Sequence, residues 1–187
     1  MKRLALSALL VIMLFGSALA HNGAISLYIM DQTVMICNKD IGFLETATIS
    51  VYYVQDLGYA LGNAVEFRLI SSNPNALFVA VTWVPEITVT MGDVDNGISL
   101  TGASCLGLGQ SVVHLGDVDV FLADDQPTTF TARVVDHPGV LPPGIHITRC
   151  NPEQTQVTVL GGTFVFNGSC NPGVQPKTWS AIKELYR

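Results

Sequence analysis

In Thr48-Ile49-Ser50-Val51-Tyr52 and in Val65-Glu66-Phe67-Arg68-Leu69, polar and apolar side chains alternate one by one. Neighbouring side chains on an extended backbone point to opposite faces, so each run has an apolar face to bury and a polar face to show. The same rhythm of β-branched and aromatic residues returns over 24–30, 46–54, 64–70, 87–91, 98–101, 111–122, 129–134, 156–160 and 163–166, while helical spacing is almost absent. Asp95-Asn96-Gly97, Gly161-Gly162 and Asn167-Gly168 supply turn chemistry where strands are expected to reverse. Pro138, Pro142, Pro143 and Gly144 form a stiff excursion suited to a surface connection. Short strands at this density predict an all-β fold, an antiparallel two-layer β-sandwich.

The two ends read differently. Lys2 and Arg3 precede an uncharged apolar run, Leu4 to Phe15, and Gly16-Ser17-Ala18-Leu19-Ala20 ends in the small-x-small pattern of a signal-peptidase site. Residues 1–20 are therefore expected to be a signal helix removed before His21, a run too short to span a bilayer. The mature chain is expected to be secreted, whether periplasmic, cell-surface or extracellular. The domain is placed at 21–170. After Asn171-Pro172-Gly173-Val174-Gln175-Pro176, residues 177–187 are helix-compatible: Thr178 suits an N-cap, and Trp179, Ile182 and Leu185 or Tyr186 fall on one face. So short a helix is marginal in water, and its stripe needs a surface to dock on, either its own domain or a sorting machinery.

Without Lys2 and Arg3 the chain holds seven basic against fifteen acidic side chains, a net charge of −8 with histidine neutral. Such a surface repels phosphate backbones and anionic lipid, which argues against nucleic-acid binding and against membrane association after signal cleavage. Cys37, Cys105, Cys150 and Cys170 are an even set bound for an oxidising compartment, so two disulfides are expected. Three pairings exist. Proximity along the chain favours Cys150 with Cys170, leaving Cys37 with Cys105.

Chemistry is harder to place. Cleavage leaves His21 first, and an amine and an imidazole on one residue chelate copper as in secreted polysaccharide monooxygenases; completing that site takes His114, His137 or His146, none in a local motif. Asp93 and Asp95 offer alternating oxygen ligands, but Gly97 is out of register for an EF-hand and the closing glutamate is missing. No G-x-S-x-G elbow nominates a serine nucleophile. No metal, cofactor or catalytic residue is expected on this reading. For binding, Tyr28, Tyr52, Tyr53, Tyr59 and Trp83 are the aromatic candidates, and Tyr53 and Trp83 are the expected ligand-facing pair.

The start Gly23-Ala24-Ile25-Ser26-Leu27-Tyr28, the strands Thr48 to Val54 and Ala64 to Phe67, and the ending Thr178-Trp179-Ser180-Ala181-Ile182-Lys183-Glu184-Leu185-Tyr186-Arg187 resemble a group of uncharacterised secreted bacterial proteins. Their tails commonly read T-W-G-x-I-K-x-L-Y-R, from which Ser180 departs. That resemblance carries over no activity. The strand pattern is also similar, more loosely, to immunoglobulin-like and cohesin-like sandwiches. The resulting expectation is an exported interaction or structural module without catalytic activity, meeting a protein or glycan at the cell surface. A carbohydrate-binding module and a copper monooxygenase using His21 are the alternatives.

Overall fold

The computed structural model describes residues 23–31, 34–55, 62–106, 110–125 and 128–170. The expected signal helix and C-terminal helix fall outside those residues. Among the described residues there are 13 strands and no helix. The alternating segments become β1 (Gly23–Asp31), β4 (Thr46–Gln55), β5 (Gly62–Ser71), β7 (Ile87–Asp93), β8 (Gly97–Gly102), β9 (Val112–Leu122), β10 (Phe130–Val135), β12 (Gln156–Gly161) and β13 (Thr163–Phe166). Four more appear: β2 (Val34–Ile36), β3 (Asn38–Lys39), β6 (Ala76–Trp83) and β11 (Ile145–Arg149).

Pairing runs β6-β9-β4-β1, crosses from β1 to β12, and continues through β11, β5, β10, β13 and β3, with β8 and then β7 on the other side of β5. All pairs are antiparallel except β1 with β12 and β13 with β3. The inward side chains of both halves share one core. Ile25, Leu27, Ile49, Val51, Tyr53, Val118, Val120 and Leu122 come from one half, and Val65, Phe67, Leu69, Leu100, Ile147, Phe164 and Phe166 from the other, none more than 2 % exposed. The alternation in β4 and β5 is thus spent as expected, one face in the core and one outside.

The turn signals had unequal fates. Asp95-Asn96-Gly97 does close a hairpin: Asp93 of β7 lies opposite Gly97 of β8, and Gly97 takes a φ of 124°, which a side chain would disfavour. Gly161-Gly162 is not a reversal. β12 runs antiparallel to β11 and β13 antiparallel to β10, and β10 and β11 lie on the same side of β5, so the chain keeps its direction through the glycines. There it bonds both ways, Gly162 N donating to Ile25 O at 2.7 Å and Gly162 O accepting from Val134 N at 3.0 Å. Asn167-Gly168 is a strand end whose side chain is put to use: Asn167 Oδ1 accepts from Ile41 N at 2.8 Å, and its Nδ2 donates to Ile41 O at 3.1 Å. The proline excursion, residues 136–144, lifts off one edge of β5 and returns to it, since β10 pairs with its far end and β11 with its near end.

The expected disulfide pairing is overturned. Cys37 is bonded to Cys170 and Cys105 to Cys150, with Cα separations of 6.1 and 5.7 Å. Strand topology explains both. β3 lies parallel beside β13, so that Cys37 O accepts from Val165 N at 3.0 Å; after β13 the chain doubles back at Asn167, whose φ is 52°, and Asn38 Nδ2 donates to Gly168 O at 2.9 Å, which returns Cys170 to Cys37. β8 and β11 flank β5 at the same end, where Gly62 O accepts from Leu106 N and Gly62 is the register partner of Arg149, so the residues that follow β8 and β11 meet.

Candidate functional site

The outward side chains of β1, β4, β9 and β6 make one continuous face, roughly 15 Å wide at the usual interstrand spacing. Its rows follow from register. Tyr28, Ser50, Asp117 and Thr82 lie side by side across the four strands; Thr48, Asp119 and Ala80 form the next row, and Ser26, Tyr52 and His114 the row on the other side. A bulge in β9 at Leu115 brings His114 opposite Tyr52.

Cross-strand bonds tie this face together. Thr48 Oγ1 donates to Asp119 Oδ1 at 2.6 Å, and Ser50 Oγ to Asp117 Oδ1 at 2.6 Å. His114 Nε2 lies 3.0 Å from the same Asp117 oxygen. The Tyr52 ring sits between Tyr28 and His114, with centroids 6.4 and 5.0 Å away and planes tilted by 50° and 35°. Burial raises the Tyr52 phenol above its ordinary pKa; a hydrogen bond with Ser50 pulls the other way, and the Asp117 charge adds to the rise.

Serine, histidine and aspartate meet here, yet not in the order that activates a nucleophile. Both Ser50 and His114 address the aspartate, whereas acyl transfer needs the imidazole on the serine hydroxyl and the acid behind it. The hydrogen bonds join β4 to β9, and the Tyr28–Tyr52 ring contact reaches β1. His114 and Asp117 are 37 % and 40 % exposed, so the row stays reachable from solvent.

The expected ligand-facing aromatics lie elsewhere. Tyr53 is 2 % exposed and points into the core, opposite Ile25 and Val113. It is Tyr52 that lies on the outer face, and its neighbours cover it to 9 %. Trp83 turns inward at the end of β6 and meets Phe67 edge-on, centroids 6.3 Å apart. Gly116 lies opposite it and makes the room: a Cβ there would fall 2.5 Å from both Thr82 O and Trp83 Cε3. Adjacency correctly implied that Tyr52 and Tyr53 face opposite ways, but only the register and the core decide which faces out.

Asp93 and Asp95 belong to the β7–β8 turn. Asp93 Oδ1 accepts from the backbone N–H of Asp95 at 3.0 Å and of Asn96 at 2.8 Å, and both carboxylate oxygens lie 3.0 Å from Asn96 Nδ2. Those bonds, the Asn96 side chain first, lower the Asp93 pKa, while burial and then the Asp93 charge raise that of Asp95. Among the described residues no three His, Cys, Asp or Glu side chains converge as metal ligands. His137 Nδ1 accepts from Gly139 N, and His146 is 2 % exposed. His21, Trp179, Ile182, Leu185 and Tyr186 lie outside the described residues.

Among solved structures, the chain is similar to the cohesin module from the Clostridium perfringens ATCC13124 family 33 glycoside hydrolase, at a TM-score of 0.58 and 6 % identity over 80 % of this chain and 100 % of that module. It is also similar to a chain of the CaDoc0917–CaCohA2 complex, at a TM-score of 0.50 and 8 % identity over 78 % of this chain and 99 % of the other. At such identities the likeness is one of fold. Neither a protein-family model nor a curated protein matches the sequence.

Proposed function

We propose that the mature protein is an exported interaction module without catalytic activity, a two-layer β-sandwich that presents the outer face of β1, β4, β9 and β6 to a protein partner. The observation that carries this is the wiring of that face. Thr48 with Asp119 and Ser50 with Asp117 bond β4 to β9, His114 braces Asp117 within β9, and the Tyr28–Tyr52 ring contact reaches β1, so that the middle of a broad, half-exposed surface is held in one shape. A preorganised surface loses little freedom on binding, which is what a docking face requires. The fold likeness supports the same role, since one neighbour is a cohesin module and the other is a chain of a two-component complex. Two disulfides support an oxidising compartment.

The three rings of Tyr28, Tyr52 and His114 favour a glycan as the second reading, because aromatic residues gathered on one face are the raw material of a sugar platform. The tilt of the rings and the burial of Tyr52 argue for the protein partner, since a sugar stacks on an open ring face.

The test is retention of the purified mature chain on envelope fractions of the producing cell, before and after protease treatment of those fractions. Retention should vanish with protease, and should vanish with Thr46→Arg plus Thr82→Arg, two exposed positions of the outer face, while both chains stay silent on a glycan array. Retention that survives protease, together with an array signal, would select the glycan instead.

A further inference from the structure

The described part of the chain ends at Cys170, and that exit point is the rim of a groove. Leu27 and Tyr28 of β1 form one wall, Thr163 and Val165 of β13 the other, and the Cys37–Cys170 disulfide the lip, enclosing about 340 Å³ of mostly apolar space. Specific side-chain and ligand sites begin at about this size.

Charge divides the mature chain at the same point. Residues 21–170 hold four basic and fourteen acidic side chains, a net −10, whereas residues 171–187 hold Lys177, Lys183 and Arg187 against Glu184, a net +2. The two parts attract. The tail also carries the apolar stripe of Trp179, Ile182 and Leu185, too short to hold a helix unaided. Trp179 follows Cys170 by nine residues, roughly 30 Å of extended chain, so the groove is well within reach.

We infer that the C-terminal segment docks on its own domain, with Trp179 seated in the groove between β1 and β13 beside the Cys37–Cys170 disulfide. The stripe then finds the apolar surface that its length demands, on a body whose net charge is opposite to the tail's. The Cys37–Cys170 bond fixes both the groove's lip and the start of the tether, so the site exists only in the oxidised protein. The groove opens at the β1 margin of the outer face, but the inference does not depend on what that face binds.

The experiment uses the oxidised chain from His21 to Arg187 with Trp83→Phe, which leaves Trp179 as the single tryptophan. Acrylamide should quench Trp179 several-fold less than it quenches a synthetic peptide of residues 171–187, at every protein concentration. Thr163→Arg, at an exposed position on the groove's wall, should restore quenching to the level of the peptide. Quenching equal to the peptide's in the folded chain overturns the inference and leaves the tail for an external receptor. Protection that grows with concentration overturns it in favour of a second copy, and protection that Thr163→Arg leaves intact overturns the groove. A second measurement keeps Trp83: ending the chain at Cys170 should shift the backbone amide resonances of residues 26–28 and 163–165 and leave β6 and β7 unmoved, and a shift map centred elsewhere also overturns the site.

Discussion

Tyr52 shows how one residue is set by its neighbours. Its phenol is held above the ordinary value chiefly because burial disfavours the phenolate. The folded chain therefore keeps the phenolic proton at a pH where the unfolded chain has begun to lose it. Its contribution to stability is complete below the unfolded tyrosine value of 10.0 and is lost as pH climbs through the higher folded value. Urea midpoints taken from pH 9 to 11.5 should fall more steeply for the native chain than for Tyr52→Phe; parallel curves would show that burial does not govern this phenol. Gly116 is set by contact rather than charge. Because its missing Cβ leaves space for Trp83 and for the Thr82 carbonyl, Gly116→Ala should cost on the order of 1–3 kcal/mol by urea denaturation, and an unchanged midpoint would mean that β6 shifts freely over β9.

Among the elements, those that the sequence reveals are the strands with one face in and one face out. β4 and β5 alternate because each separates core from solvent or from the outer row. β6 escapes such a reading: Ala76-Leu77-Phe78-Val79-Ala80-Val81-Thr82-Trp83 is apolar almost throughout, yet among the described residues it pairs only with β9, carries a bulge at Val79, and leaves Leu77 and Val79 49 % and 54 % exposed. Its signal was a β-rich run ending at Pro85 rather than a period. β11 is short, and β2 and β3 shorter still, each held by pairing to a longer strand. The disulfides tie such elements together across long stretches of chain. At sequence separations of 133 and 45, loop-closure entropy assigns about 5 kcal/mol to Cys37–Cys170 and about 4 kcal/mol to Cys105–Cys150. The double serine variants Cys37→Ser/Cys170→Ser and Cys105→Ser/Cys150→Ser, compared by equilibrium denaturation, should lose stability in that order. The reverse order would show that local strain outweighs loop length.

At the scale of the molecule, the parallel contact of β1 with β12 joins the run containing β6, β9, β4 and β1 to the run built around β5, and both enclose a single apolar cluster. That joint, together with β3 beside β13, draws residues from near the two ends of the described part of the chain to one place: β1, Cys37, β13 and Cys170. The outer face and the groove at its β1 margin both follow from it. The charge of the chain is also a whole-molecule property: residues 21–170 carry a net −10 and the last seventeen residues a net +2.

The order of residues was enough to make this chain all-β, to have its cysteines pair, and to give the middle of each long strand an inner and an outer face. Those are local properties, fixed by the two-residue period of an extended backbone and by turn chemistry. Which cysteine meets which, which of Tyr52 and Tyr53 looks out, and whether a glycine pair turns the chain or carries it on came from the folded arrangement. Each of these depends on which strand lies beside which, and at Gly161-Gly162 the same two residues that would suit a hairpin instead let one strand pass from β11 to β10 while bonding to β1.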